Sequence, residues 1–169
     1  MNRGFSLTEL LVVLAVLGIL ATAALASPGS QRQRQQLELE SALRRLRIGL
    51  DRGRLAAARG AEPCGLSLTA EGWRPPLTSE LMPCHGAAMP LQELGSPQLQ
   101  LVSNLPPTLR FAANGLLLDG GLVVLSHPRL QQRRCLVIGL PLGITRTGNY
   151  ASDPSVDLRS SHCQPRHGR

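Results

Sequence analysis

The sequence predicts an α+β fold: a long N-terminal helix packed on antiparallel β-sheet. Three observations predict it. An apolar run opens at Phe5 and reaches Ala26. Leu39, Leu43, Leu46, Leu50 and Ala57 then recur at helical spacing, which marks one buried stripe. From Cys64 the period changes to the alternation of strands, punctuated by Gly, Pro and Asn-Gly.

The helix divides into two halves. Residues 5–27 are expected to form a membrane-spanning half. At about 1.5 Å per residue, the apolar run is long enough to cross a hydrocarbon core of roughly 30 Å. One acid interrupts it: Glu9 is followed by 17 uncharged residues, 10–26. A carboxylate inside such a run costs about 2.5–3.5 kcal/mol if central, so Glu9 requires a partner. A secretion signal cut after Ala24-Leu25-Ala26 would account for the run, as would a plain anchor, but neither accounts for Glu9.

Residues 28–60 are expected to form an amphipathic half. Pro28 disfavours helix in the residue before it, and Ser30 with Gln33 reads as a capping box, so a kink or restart is expected there. Arg45, Arg52 and Arg59 lie seven apart, roughly opposite the apolar stripe. Gly60, with Pro63 beyond, is the stop signal. Gly49 and Gly53 weaken this helix by up to about 1 kcal/mol each, and packing against the sheet is the plainest reason for them.

Residues 61–148 are expected to form the β domain. Strands are expected at residues 64–68, 98–102, 109–112, 116–118, 122–125, 134–140 and 142–147, with Trp73 following a short turn. Asn114-Gly115 is the strongest hairpin signal. Residues 75–97 hold five prolines and read as a long loop. Residues 149–169 read as a polar, basic tail, held only if Cys163 is bonded.

Composition narrows the function. All 18 basic residues are Arg, against 11 acids. The charge is uneven: residues 27–59 hold eight Arg and three acids, 60–99 one Arg and four Glu, 100–169 eight Arg and three Asp. Cys64, Cys84, Cys135 and Cys163 form an even set, which in an exported domain reads as two disulfides. Three pairings are possible, and the local ones, Cys64–Cys84 and Cys135–Cys163, are favoured. Zinc is the rival, given Cys84-His85 and His162-Cys163, but no C-x-x-C spacing supports a metal site. No catalytic motif and no cofactor motif is present. Ser126-His127 reads as a surface turn before Pro128.

Gly4-Phe5-Ser6-Leu7-Thr8-Glu9-Leu10 resembles the leader of type IV prepilins and type II secretion pseudopilins. The resemblance implies that residues 1–4 are a leader cut by prepilin peptidase after Gly4, and that Phe5 is then N-methylated. It implies that Glu9 pairs with the N-terminal amine of a neighbouring subunit during assembly. It further implies a single-pass inner-membrane protein with its C-terminal domain in the periplasm, partnered by lipid and other pilin subunits, and found in the fibre after assembly. Residues 54–73, Leu109-Arg110-Phe111-Ala112-Ala113-Asn114-Gly115, Cys135-Leu136-Val137-Ile138-Gly139 and Gly143-Ile144-Thr145-Arg146-Thr147-Gly148 resemble the GspH/FimT family of minor pseudopilins and minor pilins. DNA-uptake members of that family carry G-R-x-R in the last segment. Here Gly143 and Arg146 match, and Ile144 replaces the first Arg. On that reading, Arg146, Arg159, Arg166 and Arg169 are candidate phosphate contacts to DNA.

Overall fold

The structure, a computed structural model, describes residues 6–25, 28–76, 80–92, 99–140 and 142–165. The chain forms two compact units, Met1–Gln36 and Leu37–Arg169.

In the first unit, helix α1 covers Leu7–Leu25. Ser6 caps it: the Ser6 Oγ accepts the Glu9 N–H at 3.3 Å, and the Ser6 carbonyl accepts the Leu10 N–H at 3.1 Å. Every large apolar side chain described in α1 is exposed, from Leu7 to Leu20. Among the described residues, no helix is long and apolar enough to cross a membrane. Residues 5, 26 and 27 of the expected span lie outside those described.

Helix α2 covers Pro28–Gly60. It starts two residues before the expected cap at Ser30, because Pro at a first helical position has no N–H to waste and its φ is already helical. Residues 37–60 of α2 belong to the second unit, and there the expected stripe is the core: Leu39, Leu43, Leu46, Leu50 and Ala57 are all buried. Gly49 and Gly53 belong to the same face. A Cβ on Gly49 would lie 2.0 Å from Cδ1 of Trp73, and one on Gly53 2.6 Å from Cζ of Phe111. The glycines therefore set how closely the helix meets the two large aromatics. The helix stops at Gly60, but the left-handed residue that ends it is Ala61, with φ +51.

The strands form two sheets. In the first, β1 (Cys64–Thr69) is central. It pairs antiparallel with β2 (Gly72–Arg74) and β6 (Leu109–Phe111), and parallel with β3 (Met82–Pro83), while β4 (Met89–Pro90) pairs with β2. The segment read as a loop, residues 75–97, thus contributes two strands of two residues each. Each ends on a proline, and the lost N–H is tolerated at a sheet edge. The expected strand at 116–118 is reduced to one bridge, Leu117 to Phe111, beyond a turn in which Gly115 takes φ +78.

The second sheet is antiparallel throughout, in the order β10 (Cys163–Pro165), β9 (Ile144–Tyr150), β8 (Arg133–Gly139), β7 (Gly121–Ser126), β5 (Gln100–Ser103). Its two faces are both buried. Val123, Leu125, Leu136 and Ile138 face α2 and the first sheet. Leu122, Val124, Cys135 and Tyr150 face the other way, under residues 151–165. This is why residues 122–125 are continuously apolar rather than alternating. The segment expected to be held only if Cys163 is bonded has that bond, to Cys135. Residues 149 and 150 extend β9, and residues 151–165 form a strap that ends as β10.

Candidate functional site

Three places hold the chemistry that the sequence points to. The first is the N-terminus. Gly4 and Phe5 lie outside the described residues. Glu9 is exposed at the third helical position of α1, one turn after the Ser6 cap. A carboxylate there meets the positive end of the helix dipole, worth about 0.3–1 kcal/mol at an exposed site. Ser6-Leu7-Thr8-Glu9 therefore has the spacing of a capping box, of which the Ser6 half is formed.

The second is the outer face of the second sheet. Both local disulfides form, Cys64–Cys84 and Cys135–Cys163, and no cysteine is free. All four cysteine sulfurs are in disulfides, which removes the thiolates that the zinc alternative needs. Cys135–Cys163 pins the strap. Tyr150 helps, since its hydroxyl donates to the Asp157 carbonyl at 2.5 Å and accepts the Arg159 N–H at 3.0 Å.

Gly148 lets the strap approach: a Cβ there would lie 2.0 Å from the Gln164 carbonyl oxygen. Arg146 crosses from β9 and donates to the Ser160 carbonyl at 3.0 Å, next to Arg159. Two of the candidate DNA contacts are thus brought to one side of the sheet, and both are exposed. Arg159 already holds Asp157, Nε to Oδ1 3.0 Å. Ile144 is 64% exposed two residues from Arg146. Arg166 and Arg169 lie outside the described residues.

The third place was not legible in the sequence. It is a charged layer between α2 and the second sheet. Arg134 is almost fully buried, yet it pairs with Glu40 on α2 and donates to Asn149 on β9. His127, expected on a surface turn, is instead buried. Its Nδ1 accepts the Arg129 N–H at 3.1 Å, and its Nε2 lies 3.7 Å from Glu38 of α2. Farther along the helix, Arg54 donates to the Gly143 carbonyl in the turn before β9. The signal that could have found this layer is Glu38 and Glu40, two acids flanking Leu39 at the start of the buried stripe.

Another charge contact closes the first sheet. Arg110 grips Asp119 with two guanidinium bonds, 3.0 and 2.7 Å, and its own N–H adds a third at 2.9 Å. The hydrogen-bonded guanidinium holds the Asp119 carboxyl below the usual carboxylate range, against a smaller opposing effect of burial.

Residues 1–25 match the sequence model of the prokaryotic N-terminal methylation motif. No curated protein and no solved structure matches the chain. The match covers the leader, Glu9 and all of α1, and it supports a type IV pilin-like precursor that is processed by prepilin peptidase and assembles with other pilin subunits.

Proposed function

We propose that the chain is a minor subunit of a type IV pilus or a type II secretion pseudopilus, with a structural role in starting or capping the fibre. The observation that carries this reading is the N-terminal motif, Gly4-Phe5 with Glu9, leading into a helix that is apolar on every side. A helix of that kind belongs in lipid or in a helical core rather than in water. Prepilin peptidase would cut after Gly4, Phe5 would be methylated, and residues 5–27 would hold the subunit in the inner membrane until assembly. Two disulfides in the second unit support a periplasmic site for it. The finer GspH/FimT assignment is supported by where its resembling segments lie. Residues 54–73 run from the end of α2 through β1 into β2, residues 135–139 cover most of β8, and residues 143–148 cover the turn residue before β9 and most of β9.

Mass spectrometry of the membrane-extracted protein tests this. A methylated N-terminus at Phe5 is expected, and an uncut precursor for Gly4→Val. A mature N-terminus at Ser27 would overturn the reading. Glu9 is tested by two variants. Glu9→Gln keeps the capping-box side chain but removes the charge, whereas Glu9→Val removes both. If Glu9 pairs with a neighbour's amine, both variants insert and are cut but enter fibres poorly. Normal incorporation of Glu9→Gln would leave Glu9 with only its capping role.

DNA capture is the second reading. It rests on Arg146 and Arg159, exposed on one side of the second sheet. We place it second because Arg159 is neutralised by Asp157 and Ile144 adds no charge. Ile144→Arg is its test, since a gain in duplex affinity with a steeper salt dependence is expected only if this side meets phosphates.

A further inference from the structure

The outward face of α2 carries arginines that the fold does not use. Elsewhere in the second unit, Arg54, Arg74, Arg110, Arg133, Arg134, Arg146 and Arg159 each meet a carboxylate or carbonyl. Among the described residues, the side chains of Arg52 and Arg59 meet none, nor do those of Arg44, Arg47 and Arg129, but only Arg52 and Arg59 border a groove. Together with Leu55, Ala56, Gly60, His85 and Gly86 they line a groove of about 650 Å³. Leu55, which lies between the two arginines in sequence, is 47% exposed. The far wall is held in place, because Cys84 is bonded to Cys64 and the Ala87 N–H closes a turn on the Cys84 carbonyl at 3.2 Å. Asp51 lies one turn before Leu55 on the same side of α2 but does not line the groove.

We infer that this groove is a docking site for an acidic helix of a different fibre subunit, and the inference rests on the fibre-subunit reading above. The spacing defines the partner. Arg52 and Arg59 are two turns apart, about 10.5 Å along the axis, with Leu55 between them. A helix lying alongside would place carboxylates seven residues apart against the two guanidiniums. Between them, three or four residues from each, it would set an apolar side chain on Leu55 and Ala56. The charge is complementary at both ends, and the apolar centre excludes water between them. A second copy of this chain does not fit, because α2 holds only Glu38, Glu40 and Asp51, none of them seven apart.

The test is photo-crosslinking of the full chain in its native membrane, with benzoylphenylalanine at Leu55 and, in a separate strain, at Val13 of α1. From Leu55, a crosslink is expected to an acidic helical segment of another pilin-like subunit. Arg52→Glu with Arg59→Glu should lower its yield about tenfold or more, equivalent to ~1.4 kcal/mol, while Arg52→Lys with Arg59→Lys largely preserves it. N-terminal processing and the non-reducing gel mobility of the variants show that the fold is intact. A Leu55 crosslink that goes only to lipid or to a second copy, or that ignores charge reversal, overturns the inference. If Val13 crosslinks to other subunits and Leu55 to none, the groove falls and the fibre reading stands. If neither site crosslinks to a subunit, the fibre reading falls and takes the groove with it.

Discussion

The indole Nε1–H of Trp73 donates to the Leu46 carbonyl at 3.0 Å, across the notch that Gly49 leaves in α2. Helix propensity alone favours Gly49→Ala by about 1 kcal/mol. The new methyl would lie 2.0 Å from a ring that is fully buried and already bonded. Overpacking of this kind costs about 1–3 kcal/mol, and the displaced ring also loses its acceptor. The clash therefore wins. Gly49→Ala should destabilise by about 2 kcal/mol in urea denaturation. Gly60→Ala, with nothing within 4 Å of its new methyl, should stay within about 0.5 kcal/mol.

Glu40→Ala tests the charged layer. Removing one member of a fully buried ion pair costs about 3–5 kcal/mol, because the other is left charged in a poor solvent. Glu40 keeps 29% side-chain exposure, and Arg134 retains Asn149. We expect a loss of about 2 kcal/mol, measured by the same denaturation. Arg134→Met, which removes the buried charge itself, should cost less.

Asp119→Asn tests the clasp on the first sheet through pH. The folded carboxyl titrates below its unfolded value of about 3.9, so ionisation favours the folded state. The stabilisation is complete above the unfolded pKa and is lost as pH falls through the depressed folded one. Wild type should exceed Asp119→Asn in stability at pH 6, and that gap should narrow as pH drops below 4. A gap that does not change with pH would show that the carboxylate charge is irrelevant.

Cys163→Ser tests the strap. The Cys135–Cys163 bridge spans 28 residues and should contribute about 3 kcal/mol by limiting the unfolded chain. The variant should melt at lower temperature and become sensitive to limited proteolysis within residues 151–165. Cleavage confined to other segments would show that packing on Tyr150 and Leu158 suffices.

What the sequence made legible followed from periodicity. The stripe of Leu39, Leu43, Leu46, Leu50 and Ala57 could be read because one face of a helix is buried. The Asn114-Gly115 turn could be read because its chemistry is local. Two kinds of feature could not. Residues 116–118 are all leucine and looked like a strand, yet only Leu117 is buried, and Leu116 and Leu118 stay exposed. Apolar composition does not report whether a neighbouring strand is present to pair with. The buried places of His127 and Arg134 are set by Glu38 and Glu40, some ninety residues earlier, and no local pattern carries that distance. At the candidate site, the leader motif was plain from residue types alone. The groove beside Arg52 and Arg59 was only half visible: the seven-residue spacing was there, but His85 joins it only through the fold.

The strap also fixes an order of events. Leu122, Val124 and Cys135 lie on a sheet face that the last described residues cover. During synthesis that face stays bare until residue 163 has been made and an oxidant has closed the bridge. A chain truncated near residue 150 would have every element of the helix-facing core, yet it would present an apolar sheet surface with a reactive thiol at its centre. Completion of this domain is thus reported by a single covalent event near its end, so a thiol probe that labels Cys135 separates unfinished chains from finished ones.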